Sequence, residues 1–151
     1  MEARMADVYK LASGGHRALE AMESWLASTE VPQPLLELVR VRASQINGCG
    51  LCVDYHSHRA DRAGERAERL WSVAAWREAP YYTAQERAAL ALTEAMTRLA
   101  DSSDGVPDHV WEEVAGQFSR EALAALVMAI ASVNAWNRVN VATRQLAGWY
   151  R

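Results

Sequence analysis

No stretch of this chain alternates β-branched and polar residues between turn signals, and that pattern decides its fold class. Ala, Leu, Glu and Arg dominate, and apolar residues recur at helical spacing, so the chain is expected to be all-α. Met5 to Ala12 reads as a first helix, broken by Ser13-Gly14-Gly15. His16 to Ala27 follows, with Leu19, Met22, Trp25 and Leu26 on one face. Val31-Pro32-Gln33-Pro34 links it to a strongly apolar helix, Leu35 to Ile46, which nevertheless contains Glu37. Asn47-Gly48 is a turn, a helix starts at or near Cys49 and runs to about Ala63, and Gly64 stops it. Glu65 to Trp76 is a further helix. Thr83-Ala84-Gln85-Glu86 is a capping box, opening a helix to about Ala100. Asp101 to Gly105 is a loop, Pro107 opens another helix, and Ser119 caps a last one from Arg120 to about Leu146.

The chain has 151 residues, enough to bury a core without disulfides or metal, and reads as a single domain over 1–151. Half the residues are hydrophobic and 23% charged, which excludes wholesale disorder. The net charge of −3 excludes the electrostatic footprint of a nucleic-acid binder. Every basic residue but Lys10 is Arg, interleaved with Glu, and these are read as solvated faces and local ion pairs. The polar start, Met1 to Asp7, lacks the apolar stretch of a signal peptide. The longest apolar run, Ala122 to Val133, is shorter than the about 20 residues a membrane helix needs. A cytoplasmic protein without membrane partners is expected. The tryptophans Trp25, Trp71, Trp76, Trp111, Trp136 and Trp149 are read as core or subunit-interface anchors, with Trp76 and Tyr81 as an alternative roof over a thiol pocket.

The chemistry concentrates in Asn47-Gly48-Cys49-Gly50-Leu51-Cys52-Val53-Asp54-Tyr55-His56, which holds both cysteines. At about 100° per residue, Cys49, Cys52 and His56 share one stripe of a helix, with His58 on the far side. A helix start offers free N–H donors that stabilise a thiolate, a nearby imidazole can take the proton, and the second thiol can close a disulfide. A c-type haem site would need His where Val53 stands. A structural zinc site would need a fourth ligand beyond Cys49, Cys52 and His56, and a thioredoxin fold would need a preceding strand. Redox-active thiols are the favoured reading over zinc ligands or inert buried cysteines. Glu37 has two readings: a buried carboxylate orienting His56, or an i,i+3 partner of Arg40 on a solvated face. Asp54 reads as an acidic first-turn residue. Asn134, Asn137, Arg138 and Asn140 read as interhelical hydrogen-bonding groups.

Residues 35 to 56, from Leu35 through Glu37, Cys49 and Cys52 to His56, resemble the core motif of the alkylhydroperoxidase AhpD-like family within the carboxymuconolactone decarboxylase superfamily. Residues 74–80, 86–92 and 134–140 resemble it too. The resemblance implies an all-helical bundle assembled as a trimer or hexamer, with no metal or flavin held by the subunit. It implies thiol-dependent reduction of hydroperoxides, with electrons from an external dithiol or lipoyl protein. Catalytic roles fall on Glu37 and His56 as a proton relay, and on Cys49 and Cys52 as the thiol pair. The resemblance favours Cys52 as the attacking thiol, whereas helix-start reasoning favours Cys49. Leu51 stands where the best-studied branch has a second histidine, which argues for a first rival, a disulfide-exchanging sensor or adaptor; the second rival is a non-enzymatic oligomeric binding protein that retains the motif for packing.

Overall fold

A computed structural model describes residues 1–148, and all regular structure among them is helical. The elements are α1 (Val8–Leu11), α2 (Ser13–Leu26), α3 (Gln33–Asn47), α4 (Gly50–Arg62), α5 (Ala67–Ser72), α6 (Ala84–Thr97), α7 (Asp108–Ala115) and α8 (Arg120–Thr143). Short 3-10 turns follow α5, at Val73–Ala75, and α6, at Leu99–Asp101.

α3 is the axis of the bundle, packed on α4, α6 and α8. Its buried residues, from Leu35 to Ser44, point in every direction around it. A helix buried all round must find partners for any charge it carries, and α3 carries Glu37 and Arg40. One face joins the main core with Leu36, Val39, Leu92, Leu126 and Ile130. Another joins a second cluster of Leu38, Val41, Val73, Trp76, Tyr82 and Leu90. α8 is long and apolar enough by length and composition to span a bilayer, but 56% of that stretch is buried inside the bundle. That burial makes α8 a core helix of the bundle, and the apolar run Ala122 to Val133 lies inside it.

Several boundaries differ from the sequence expectation. The break near the N-terminus falls at Ala12, and α2 runs straight through Gly14 and Gly15. Glycine weakens a helix by about 1 kcal/mol but does not forbid one, and α2 is held by packing on α8. The helix expected over Glu65 to Trp76 is a short α5 that tightens into a 3-10 turn. Ser72 Oγ bonds the Glu68 carbonyl at 2.7 Å, competing with the regular ladder. α8 stops at Thr143 because Arg144 turns left-handed (φ 54°) and the Gln145 N–H turns back to the Asn140 carbonyl. The capping box at Thr83 and Glu86 forms as expected.

The arginines are not all solvated. Arg40 is buried between Glu37 and Glu23, and Arg69 is buried between Glu65 and Glu86. Of the tryptophans read as core or subunit-interface anchors, Trp76 is buried in the core, and Trp25, Trp71 and Trp111 are exposed on the single chain. Trp149 lies outside the described residues.

Candidate functional site

The α3–α4 turn builds the site. Gly48 sits at φ 67°, a conformation other residues adopt only with strain, and the Cys49 N–H closes on the Ser44 carbonyl at 3.0 Å. The chain reverses, and α4 runs back along α3. Cys49 becomes the N-cap of α4: its sulfur accepts the Cys52 backbone N–H at 3.3 Å, the job a Ser or Asp oxygen usually does. One turn of helix brings Cys52 beside it, and the two are joined as a disulfide with Cα atoms 5.3 Å apart. His56 follows Cys52 by four residues, on the same face.

The antiparallel return of α4 sets His56 against Glu37, both buried. His56 Nδ1 lies 2.7 Å from Glu37 Oε2. The other carboxylate oxygen, Oε1, accepts from Arg40 at 2.9 Å and faces Arg59 Nε at 3.3 Å. Both readings of Glu37 therefore hold at once, except that its pairing with Arg40 is buried rather than solvated. Arg40 also reaches Glu23 of α2 at 2.6 Å, and Glu23 in turn accepts from Ser132 at 2.6 Å and Trp136 Nε1 at 3.3 Å, both on α8.

Burial pushes the Glu37 carboxyl up, but the His56 hydrogen bond and the charges of His56, Arg40 and Arg59 outweigh it and hold the group below its usual range. Burial pushes His56 down more than Glu37 raises it. The pair at neutral pH is thus an ionised Glu37 flanked by two guanidinium groups and a neutral His56. A carboxylate only accepts, so Nδ1 carries the ring proton, and Nε2 keeps its lone pair. That is the form a general base requires.

Cys52 and His56 line one cavity of about 540 Å³, whose walls include Tyr9, His16, Leu51 and Trp136. The rings form a cluster, with Tyr9 4.7 Å from His16 and 5.5 Å from Trp136, and His16 edge-on to Trp136 at 5.7 Å. Asn140 of α8 completes the polar side: its Nδ2 donates to Cys52 Sγ at 3.3 Å. Cys49 opens onto a separate groove of about 520 Å³, lined by Gly48, Gly50, Ser44, Asp54 and Ser57 among others.

The structure thus brings together Glu37, Cys49, Cys52 and His56. Trp76 and Tyr81 roof nothing there: Trp76 packs with Leu38 and Leu90, and its indole N–H goes to Glu94 at 2.9 Å. Trp136 holds the place assigned to them. Asp54 is not in the first turn of α4, which contains no acidic residue; it faces His58 at 3.5 Å. Asn134 and Asn137 do bridge helices, both accepting from Asn47 at 2.9 Å. Tyr9, His16, Glu23, Trp136 and Asn140 were not legible as site residues, since α1, α2 and α8 converge on α4 only through the packing; Arg59 lies on α4 itself, three residues after His56, where helical spacing could have placed it. Among the described residues no three His, Cys, Asp or Glu side chains gather as a set of metal ligands.

The sequence pattern of the carboxymuconolactone decarboxylase family matches residues 15–95. The uncharacterized protein YdfG of Bacillus subtilis (strain 168) is 34% identical over 134 residues, covering 89% of this chain and 90% of that one. The chain belongs to the carboxymuconolactone decarboxylase family. Within it, the AhpD-like character is carried by solved structures. A protein of unknown function from Agrobacterium tumefaciens, provisionally assigned as the antioxidant defence protein AhpD, superposes with a TM-score of 0.90 at 33% identity, covering 97% of this chain and 98% of that one. An uncharacterized peroxidase-related protein from Silicibacter sp. TM1040 shares the fold, with a TM-score of 0.82 at 20% identity, covering 99% of this chain and 78% of that one. In this AhpD-like chain the family match spans α2 to most of α6 and includes all four residues of the motif.

Proposed function

We propose that this AhpD-like protein is a thiol-dependent hydroperoxide reductase that works through Cys49 and Cys52, with His56 and Glu37 as proton relay. The observation that carries the reading is the 2.7 Å contact between His56 and Glu37, with His56 and Cys52 opening on one cavity. In the reduced protein, His56 Nε2 takes the Cys52 proton. The thiolate attacks the terminal peroxide oxygen, the O–O bond breaks, and His56 returns the proton to the leaving alkoxide. Sulfur is oxidised by two electrons to a sulfenic acid, and the peroxide becomes an alcohol. The Cys49 thiol then condenses with it, forming the disulfide and releasing water. An external dithiol, free or carried on a lipoyl protein, reduces the disulfide and takes away its own. Glu37, kept ionised by its hydrogen bond to His56 and by the charges of His56, Arg40 and Arg59, orients the ring and stabilises its charged form while it holds the proton. We propose a cytoplasmic homo-oligomer as the working form.

The test is peroxide consumption with a dithiol reductant. Wild type should turn over, and Cys52→Ser and Cys49→Ser should each abolish turnover. Full turnover in both variants would refute the mechanism. Leu51 supports a second reading. It lines the Cys52 cavity with an apolar side chain that can neither donate nor accept a proton. On that reading the protein exchanges disulfides with a partner and turns over peroxide poorly. Disulfide reduction by dithiol at an ordinary rate, with negligible peroxide consumption, selects it.

A further inference from the structure

The relay explains how Cys52 loses its proton, but not what holds the charge left on sulfur in a buried site. Cys52 is only 4% exposed, and burial disfavours a thiolate unless donors face it. The backbone N–H at the start of α4 is committed to Cys49, since Cys52 N donates to Cys49 Sγ. The donor at Cys52 comes from the opposite end of the chain. Asn140 of α8, itself buried, directs its Nδ2 at Cys52 Sγ from 3.3 Å. Its other end is fixed: the Tyr9 hydroxyl donates to Asn140 Oδ1 at 2.5 Å. A reversed amide would set an oxygen against the lone pairs of the sulfur, so this bond selects the orientation in which N–H faces Cys52. Tyr9 is itself tied in place. The Arg4 N–H bonds the Thr143 carbonyl at 2.8 Å, and Gln145 Nε2 bonds the Met5 carbonyl at 2.7 Å, so the N-terminal segment is strapped to the end of α8.

We propose that Asn140 is a catalytic residue of this site, its amide donating the hydrogen bond that stabilises the thiolate of Cys52, and that Tyr9 is the positioning residue that aims it. The inference rests on the reading of Cys52 as a reactive thiol, and it goes beyond that reading in assigning the charge-stabilising group. In the disulfide the contact is a weak one to a neutral sulfur. When the disulfide is reduced and His56 takes the Cys52 proton, the sulfur is an anion, and the same bond becomes charge-assisted and about twice as strong. Burial holds the Tyr9 hydroxyl above its ordinary range against the opposing pull of its Asn140 bond, so the group stays a donor through neutral pH. The other ionisable groups on this cavity are His16, Glu20 and Glu23 of α2 and Tyr55, His56 and Arg59 of α4. None of these side chains is altered in the Asn140 and Tyr9 variants, and Tyr9→Phe keeps the ring that packs on His16, so a shift in the Cys52 titration reports on the amide.

The experiment titrates the Cys52 thiolate by its ultraviolet absorbance, in a Cys49→Ser background and without peroxide. Asn140→Ala should raise the titration midpoint by about one unit, about a tenfold loss of thiolate below both midpoints. Tyr9→Phe should raise it by less. Adding Tyr9→Phe to Asn140→Ala should change nothing further, because the tyrosine acts through the amide. An unchanged midpoint in folded Asn140→Ala overturns the proposal, as does a Tyr9→Phe shift that persists without Asn140. If Asn140→Ala does not fold, Tyr9→Phe decides alone, and no shift overturns the proposal. Turnover is not measured, so a protein that proves inactive on peroxides still passes or fails this test.

Discussion

Replacing Glu37 by glutamine keeps the shape of the side chain and removes its charge, and the surroundings set the consequence. Arg40 loses a charged partner at 2.9 Å but keeps Glu23 at 2.6 Å. Arg59, whose side chain is 48% exposed, can turn to solvent. Stripping one partner from a buried ion pair costs roughly 3–5 kcal/mol, and the surviving Glu23 contact points to the lower end, about 3 kcal/mol. For a chain of this size that is a fall in Tm of roughly 6–12 °C. The chemical effect is separate. An amide still meets His56 Nδ1–H with its oxygen, but it no longer stabilises an imidazolium or enforces one tautomer. General-base contributions run about 10²–10⁴, so Glu37→Gln should slow sulfenic acid formation on the order of 100-fold. Thermal unfolding and single-turnover oxidation of the reduced protein measure the two effects. A folded variant that reacts at nearly the wild-type rate would remove Glu37 from the relay. An unchanged Tm would refute the treatment of Arg40 as a buried cation in need of both carboxylates.

Acid should destabilise the protein from neutral pH downward. Glu37 and His56 both bind protons less readily folded than unfolded, so the unfolded state gains protons first as pH falls. The His56 contribution fades as pH drops below the free-imidazole value of about 6.5, and that of Glu37 fades at lower pH, through its folded value. Tm against pH should therefore slope upward between about pH 5 and 7, and His56→Gln should flatten the upper part of that slope. In the core, Leu126 is fully buried, and Leu126→Ala should cost about 2–5 kcal/mol in denaturant unfolding, with no change in the Cys52 titration. Thr83→Ala should cost about 1 kcal/mol, since the hydroxyl accepts the Glu86 N–H at 3.2 Å in the capping box.

Local signals in the sequence located most of the helices and the thiol motif. Asn47-Gly48 marked the reversal that pairs α3 with α4, and helical spacing put Cys52 and His56 on one face. What escaped was decided by packing at long range. Nothing near Asn140 in sequence says that α8 passes Cys52, and nothing near Tyr9 says that a single turn at the N-terminus closes the same cavity. Arg40 looked like any surface arginine until α3 was seen to be buried all round. Trp76 and Trp136 are alike as sequence symbols, but only the second stands on a helix that reaches the site. The boundary errors at Gly14-Gly15 and around Ser72 share one origin: tertiary contacts and side-chain bonds override local propensity.

On the proposed mechanism Cys52, facing the cavity it shares with His56, is the sulfur that meets peroxide. Trapping the sulfenic acid with a carbon nucleophile and locating it by mass spectrometry, after one equivalent of hydroperoxide, tests this directly. An adduct at Cys52 in Cys49→Ser and none at Cys49 in Cys52→Ser is the expected result. An adduct at Cys49 in Cys52→Ser, with Cys52 unmodified in Cys49→Ser, would make Cys49 the attacking thiol instead.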